Sequence, residues 1–143
     1  MKKTRILFVC KYNRFRSRVA EFYFKKINKN KNIVVTSAGL IEGFLPLDKP
    51  QIKAAETFGF SILGKPKTTS IRELEDQDRI IVVANDIPKK IFNNRRYNDK
   101  VIIWKIPDVL EGGRIRDNRR VIQAIIKKVD KLNKELEKKK WKQ

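Results

Sequence analysis

The chain of 143 residues is the size of one ordinary domain, and its hydrophobic fraction of 41% is large enough to form a buried core. No apolar run approaches the roughly 18–20 residues that a membrane-spanning helix needs, so no membrane partner is predicted. The basic start, Met1 to Arg5, is followed by only a short apolar run, 6–9, which is too short for a secretory signal. We therefore predict a cytoplasmic protein with one domain, residues 1–143.

The chain carries 35 Lys and Arg residues against 16 Asp and Glu residues, which gives a formal net charge of +19. A charge of this size attracts polyanions at low salt. However, the basic residues are scattered, and no nucleic-acid-reading motif accompanies them. Non-specific association with nucleic acid therefore stays open, beside a compositional bias that has no functional meaning.

Apolar runs and helical periodicities alternate along the chain, which is typical of an α/β structure with a parallel sheet. Strands are predicted over residues 5–9, 33–36, 79–84 and 101–104. Helices are predicted from residue 17, after Asp48, over 71–74, over 88–92 and from Asp117 or Asn118 onward. Asp48, Asp86 and a capping box of Ser70 with Glu73 are the predicted helix starts. A glycine-containing loop, 109–116, precedes the last helix, and a basic tail, 138–143, is expected to fray.

Cys10 is the only cysteine, and the chain has no histidine. An internal disulfide and a zinc site built on this cysteine are therefore excluded. A lone cysteine is most often a small buried apolar side chain. Cys10, however, stands where the first predicted strand ends, and a reactive thiolate is the alternative interpretation.

Residues 10–17 join the first predicted strand to the first predicted helix. The carboxyl end of a parallel strand and the N-terminus of a helix are both places where anions bind, and together they favour a thiolate at Cys10. Arg16 can bind two phosphate oxygens at once, and Ser17 can donate its hydroxyl hydrogen to the thiolate. Asn13 tolerates the left-handed backbone angles of a tight loop. This stretch therefore predicts thiolate attack on phosphorus.

Three stretches together resemble the low-molecular-weight protein tyrosine phosphatase family, which includes arsenate reductases of the same fold. Residues 10–18 match in part the family pattern Cys-x-Gly-Asn-x-Cys-Arg-Ser-Pro, Ser37-Ala38-Gly39 matches a second landmark, and Pro107-Asp108 stands where the family has a late Asp-Pro. The resemblance covers roughly residues 4–135. It implies a single three-layer α/β domain with helices on both faces of a four-stranded parallel sheet, flavodoxin-like, with strand order 2-1-3-4.

The resemblance also implies roles for individual residues. Cys10 would be the nucleophile, Arg16 the phosphate binder, and Asp108 the acid that protonates the leaving phenolate and later activates water. Asn13 and Ser17 would organise the loop and the thiolate. The remaining expected substrate-binding residues are Lys11, Tyr12, Arg14, Phe15 and Phe44. Phe44 is expected either to form an aromatic wall with Tyr12 or to pack within its own loop. The family needs no metal and no cofactor.

Four residues differ from the family pattern: Tyr12 replaces a glycine, Phe15 the second cysteine, Arg18 the proline at the helix start, and Val109 the proline after the acid. Phe15 thereby removes a cysteine that could protect Cys10 as a reversible disulfide. Asp86 and Asp99 are the rival candidates for the acid, and they are interpreted as a helix cap and a loop residue.

The leading functional prediction is a phosphomonoester hydrolase that works through a cysteinyl-phosphate. Its substrates would be a phosphotyrosine-containing protein or a small aryl phosphate, with phosphate or another oxyanion held in the 10–17 loop. Two alternatives stay open. One is a non-catalytic module that binds phosphate, phosphoprotein or nucleic acid. The other is an arsenate reductase that uses an external thiol.

Overall fold

The computed structural model describes residues 2–109 and 113–141, and these fold around one parallel sheet. The strands are β1 (Thr4–Cys10), β2 (Ile33–Gly39), β3 (Arg79–Val83) and β4 (Val101–Trp104), and their order in the sheet is β2-β1-β3-β4. The helices are α1 (Arg16–Ile27), α2 (Lys49–Glu56), α3 (Ile71–Glu75) and α4 (Ile115–Trp141), with short 3₁₀ turns at Lys89–Phe92 and Asn98–Lys100. The predicted fold class and strand order are confirmed.

The central strand β1 is buried on both faces, which explains its uninterrupted apolar sequence. Ile6 and Phe8 point into a core formed with α1, α2 and α4. Leu7 and Val9 point into a second core on the opposite face, where Leu74 of α3 and Phe92 of the 3₁₀ turn cover the sheet. Because both faces are covered, polar groups can reach a ligand only at an end of the sheet.

The last helix begins earlier than predicted, at Ile115 rather than at Asp117 or Asn118. The Asp117 carboxylate accepts the Arg114 N–H at 3.1 Å, and the Asn118 side chain donates to the Arg114 carbonyl at 2.9 Å. Both side chains therefore satisfy backbone groups just before the first turn, which places them inside the helix. The helix extends to Trp141, into the predicted tail. Residues 110–112 of the predicted loop and 142–143 of the tail lie outside the described residues.

The predicted capping box at α3 forms only in part. Ser70 accepts the Glu73 N–H at 3.1 Å, but the Glu73 carboxylate accepts the Thr69 hydroxyl at 2.7 Å instead of the Ser70 N–H. Asp48 occupies the first position before α2, yet its side chain makes no capping hydrogen bond. The Asp48 carboxylate therefore remains available to the cavity described below.

None of the helices in the described part of the chain combines the length and the apolar character needed to cross a membrane.

Candidate active site

The loop between β1 and α1 forms the floor of a cavity of about 570 Å³ at the carboxyl end of the sheet. The cavity gathers residues that are far apart in sequence, because parallel strands bring their carboxyl ends to one edge. The charged residues that line it are Lys11, Arg14 and Arg16, with Asp48, Asp86 and Asp108, and Cys10 lies among them. Counting only the described residues, three basic side chains face three acidic ones, so the cavity does not share the excess of positive charge that gives the chain its net +19.

Behind the loop, a hydrogen-bond network determines where the Ser17 hydroxyl hydrogen points. The Asn13 side-chain nitrogen donates to Ser17 Oγ at 2.8 Å and to Ser37 Oγ at 2.9 Å. Ser17 Oγ lies 3.0 Å from Cys10 Sγ. Since Ser17 already accepts from Asn13, its own hydrogen is free to point at the sulfur. The geometry therefore provides a hydroxyl donor to a thiolate at Cys10.

The same network extends to the surface through Glu21, a buried acidic residue of α1. The Ser37 hydroxyl donates to one Glu21 oxygen at 2.5 Å, and Lys25 donates to the other at 2.6 Å. The carboxylate is thus paired and hydrogen-bonded, as buried charges must be. It holds Ser37 as an acceptor for Asn13. Glu21 was not singled out from the sequence, where it appears as one polar residue on an amphipathic helix.

Steric contact explains why the last residue of Ser37-Ala38-Gly39 is a glycine. Gly39 pairs with Cys10 in the register of β1 and β2. A Cβ on Gly39 would lie 2.7 Å from the Tyr12 carbonyl carbon and 2.8 Å from the Asn13 amide nitrogen. The loop backbone therefore approaches β2 so closely that only glycine fits there. Asn13 itself has a φ of 56°, the left-handed conformation that asparagine tolerates.

Arg16 lies buried at the first turn of α1, where other groups restrain its guanidinium. Its Nη1 donates to the Ile106 carbonyl at 3.0 Å and lies 3.1 Å from an Asp86 oxygen. Its Nη2 lies 3.9 Å from an Asp108 oxygen. Residues that follow β3 and β4 therefore position an arginine that belongs to the loop after β1.

Asp86 was predicted to be a helix cap, and this is wrong. The residue before the 3₁₀ turn is Pro88, and the Asp86 carboxylate pairs with Arg16 instead. Asp86 comes three residues after β3, at the same edge of the sheet as Cys10. An acidic residue beyond the carboxyl end of a parallel strand was the sequence signal that could have identified it.

Asp108 follows β4 and lines the same cavity as Cys10. One carboxylate oxygen accepts the Val109 N–H at 2.8 Å, and the other faces Arg16. About half of the side chain is exposed, so it can meet a substrate that enters the cavity. Asp99 lies in the exposed 3₁₀ turn before β4 and is not among the residues that line the cavity.

The other predicted loop residues have separate positions. Phe15 is buried in the core, and its surface also forms part of the cavity. Arg14 lines the cavity and donates twice to the Pro46 carbonyl, at 2.6 and 3.1 Å, which ties the loop before α2 to the 10–17 loop. Lys11 Nζ lies 5.4 Å from the centroid of the Tyr12 ring, within cation–π range.

Tyr12 and Phe44, the two expected aromatic contacts, lie in different surroundings. Tyr12 lines the cavity and is 37% exposed. Phe44 is 95% exposed and lines a neighbouring groove that shares Tyr12 and Leu45 with the cavity. The structure therefore brings Tyr12 to the cavity wall and leaves Phe44 outside it. Phe44 does not pack within its loop either.

Among the described residues, no group of three or more His, Cys, Asp or Glu side chains is arranged to hold a metal ion.

A cysteine and an arginine on a strand-to-helix loop, at the carboxyl end of a parallel sheet, are typical of α/β proteins that handle phosphate. Residues 5–142 match the model of the low molecular weight phosphotyrosine protein phosphatase family. The chain belongs to this family. A search of curated protein sequences found no significant match.

Solved structures with the same fold differ in their stated activities. A protein tyrosine phosphatase from Entamoeba histolytica is 24% identical, with a TM-score of 0.84 and coverage of 96% of this chain and 99% of that one. The YwlE arginine phosphatase from Geobacillus stearothermophilus is 18% identical, with a TM-score of 0.84 and coverage of 97% and 96%. An arsenate reductase from Archaeoglobus fulgidus is 25% identical, with a TM-score of 0.69 and coverage of 90% and 98%.

Proposed function

We propose that this protein is a phosphatase that transfers a phosphoryl group from an aryl phosphate, such as phosphotyrosine, to Cys10 and then to water. The observation that carries the proposal is the meeting of Cys10, Arg16 and Asp108 around one cavity, with 3.9 Å between the Arg16 guanidinium and the Asp108 carboxylate. Cys10 and Arg16 come from the loop after β1, and Asp108 comes from the segment after β4, more than ninety residues further along the chain. Together they supply a nucleophile, an anion binder and a proton donor.

In the first step, the Cys10 thiolate attacks phosphorus while Arg16 and the loop amides hold the phosphate oxygens. An S–P bond forms as the P–O bond to the phenolic oxygen breaks. Asp108, in its acid form, gives a proton to the departing phenolate, which is then released as a neutral phenol. The loop amides at the N-terminus of α1 stabilise the charge on the equatorial oxygens.

In the second step, water attacks phosphorus and the S–P bond breaks. Asp108, now a carboxylate, takes a proton from the water as it attacks. The products are inorganic phosphate and the Cys10 thiolate. Ser17, 3.0 Å from the sulfur, donates a hydrogen bond to the thiolate as it leaves.

The family model that matches residues 5–142 describes phosphotyrosine protein phosphatases, which supports phosphotyrosine as the substrate. One solved structure supports a covalent intermediate. In a mutant of the YwlE arginine phosphatase, 23% identical to this chain, the active-site serine is phosphorylated. The phosphoryl group in that relative is thus carried by an active-site side chain.

Phosphoarginine is the second candidate substrate, and the acidic residues of the cavity favour it. Asp48, Asp86 and Asp108 line the wall, and the Asp48 side chain makes no capping hydrogen bond. Carboxylates bind a guanidinium through paired hydrogen bonds. Of the two described aromatic residues that line the cavity, Tyr12 is exposed and Phe15 is buried, so a phenyl ring is less enclosed than it would be by a complete aromatic wall.

The deciding experiment measures kcat/KM for p-nitrophenyl phosphate, a phosphotyrosine peptide and a phosphoarginine peptide of the same sequence. We expect hydrolysis by the wild type and none by Cys10→Ser. A higher kcat/KM for the phosphoarginine peptide would assign the second candidate substrate. No hydrolysis of any of the three from mildly acidic to neutral pH would overturn the proposal. Phosphopeptide binding without hydrolysis would then indicate a binding module, and thiol-dependent arsenate reduction an arsenate reductase.

A further inference from the structure

Arg18 is a buried cation that the proposed mechanism does not use. The residue is 3% exposed, although it directly follows the 10–17 loop. Among the described residues, no carboxylate forms an ion pair with it within 4.0 Å. Its guanidinium stacks on Phe22, with 5.4 Å to the ring centroid. A buried charge without an ion pair is costly and calls for a specific set of hydrogen-bond acceptors.

Those acceptors are the backbone carbonyls of Ile62 and Lys65 and one side chain of the 10–17 loop. Arg18 Nε donates to the Ile62 carbonyl at 2.8 Å, and its Nη1 lies 3.4 Å from the Lys65 carbonyl and 3.4 Å from Asn13 Oδ1. Gly64, with a φ of +143°, allows the chain to turn around the guanidinium, since a Cβ there would lie 2.6 Å from Arg18 Nη2. The segment is thus shaped around this arginine.

The contact with Asn13 determines which way its amide faces. Asn13 Oδ1 accepts from Arg18 and from the Lys67 N–H at 3.0 Å. Both groups can only donate, so the oxygen must face them and the amide nitrogen must face Ser17 and Ser37. As shown above, that nitrogen makes Ser17 an acceptor and directs the Ser17 hydrogen at Cys10. Arg18 therefore lies at the start of a chain of oriented hydrogen bonds that ends at the sulfur.

The positive charge of Arg18 favours the Cys10 thiolate, as these hydrogen bonds do. Burial lowers the pKa of Arg18, and the negative charges of Glu21 and Cys10 oppose this effect. A guanidinium remains protonated under such conditions. Among the described residues, the other charged groups around Cys10 are the cavity residues Lys11, Arg14, Arg16, Asp48, Asp86 and Asp108, together with the paired Glu21 and Lys25 behind the loop. Arg18 is the one that contacts Asn13 from behind the loop.

We propose that Arg18 is a positioning residue that orients Asn13 and, through Asn13 and Ser17, stabilises the thiolate of Cys10. Arg18 occupies the position at the start of α1 where the family pattern has a proline. The inference rests on the proposed function, since it takes Cys10 as the nucleophile. Its test, however, needs no substrate.

The test measures the alkylation of Cys10 by iodoacetamide, which reacts with thiolates. Cys10 is the only cysteine, so the reaction reports on this site alone. The alkylation rate at about pH 5.5 is divided by the rate at about pH 9. This ratio cancels differences in the accessibility of the sulfur and falls when the thiolate is less stable. We expect Arg18→Met to lower this ratio about five-fold, and Arg18→Lys about two-fold, because lysine keeps the charge but cannot reach both the Ile62 carbonyl and Asn13.

The matched control is Arg119→Met, which removes a guanidinium that stacks on Phe58 at 4.8 Å without contacting the loop. We expect its ratio to equal that of the wild type. A folded Arg18→Met with an unchanged ratio would overturn the proposal and leave Arg18 a purely structural role. If Arg18→Met does not fold, an unchanged ratio in Arg18→Lys overturns it. Absence of phosphatase activity in the wild type would overturn the proposed function but leave this readout intact.

Discussion

Arg16 and Asp86 form an ion pair of 3.1 Å in which the arginine is buried and the carboxylate is about half exposed. The arginine comes from the loop after β1 and the carboxylate from the loop after β3. A guanidinium restrained in this way keeps its orientation before a phosphate arrives, so less entropy is lost on binding. The pair is therefore a source of preorganisation rather than of stability.

Asp86→Asn should lower kcat/KM for p-nitrophenyl phosphate about 10- to 100-fold, because the Arg16 guanidinium loses its main restraint. Steady-state kinetics at several pH values would measure this loss. Asp99→Asn, a change in the exposed 3₁₀ turn before β4, is the matched control and should stay within about two-fold of the wild type. Equal kinetics for the two variants would show that the ion pair does not position Arg16.

Asp108→Asn should slow the hydrolysis of phenyl phosphate about 100-fold or more, because the poor leaving group then departs without a proton. The loss should be at least about ten-fold smaller for p-nitrophenyl phosphate, whose phenolate is a far better leaving group. The two substrates thus control for each other. A loss of the same size for both would show that Asp108 acts on binding or folding and not as the acid.

Gly39→Ala should destabilise the protein by about 1–3 kcal/mol and reduce activity, because the new Cβ would displace the loop backbone at Tyr12 and Asn13. Urea unfolding and kinetics of the same preparations would measure both effects. Gly43→Ala is the matched control, since a Cβ added there would lie 3.4 Å from its nearest neighbour, a Tyr12 ring carbon, which is ordinary van der Waals contact. A Gly39→Ala variant as active as Gly43→Ala would contradict the close approach of the two backbones.

Tyr12→Ala should raise KM for small aryl phosphates about three- to ten-fold, because Tyr12 lines the cavity where the aryl ring would lie. Phe44→Ala should leave KM within about two-fold of the wild type, because Phe44 lies in the neighbouring groove. Both variants remove one ring, so the comparison isolates position. A larger effect of Phe44→Ala would mean that its loop closes over the bound substrate.

Tyr23→Phe should lower the free energy of unfolding by about 1 kcal/mol, because the Tyr23 hydroxyl donates to Asp130 at 2.6 Å and so joins α1 to α4. Burial, together with this carboxylate, raises the pKa of Tyr23 from 10.0 to about 12. A tyrosine with a raised pKa in the folded state contributes its full stability below the unfolded pKa and loses it as pH rises through the folded one. The stability difference between wild type and variant should therefore shrink from about pH 10 to about pH 12. A difference that does not change with pH would contradict this assignment.

The sheet and most helices could be predicted because their signals are local. The buried run of β1 and the apolar stripe of α4 each depend on residues a few positions apart. Element ends were less predictable where side chains decide them. The sequence predicts that α4 starts at Asp117 or Asn118, yet the Asp117 carboxylate accepts the Arg114 N–H from within the first turn.

The loop from Cys10 to Ser17 could be recognised from sequence because its parts are consecutive and the strand before it and the helix after it are strongly patterned. Cys10, Asn13, Arg16 and Ser17 all contribute to one site in the structure. The contacts of Asp86 and Arg18 could not be predicted, because their partners lie 70 and 44 residues away along the chain. No local periodicity links such pairs.

The sequence by itself determined the parallel α/β fold, the single thiol and the strand-to-helix loop that carries it. It did so because burial patterns, turn residues and a short motif are properties of neighbouring residues. Only the tertiary structure decided that Asp86 restrains Arg16, that Phe44 lies outside the cavity and that Arg18 contacts Asn13. Those relationships depend on which strand ends meet at one edge of the sheet and on how closely the backbone can pass β2 at Gly39.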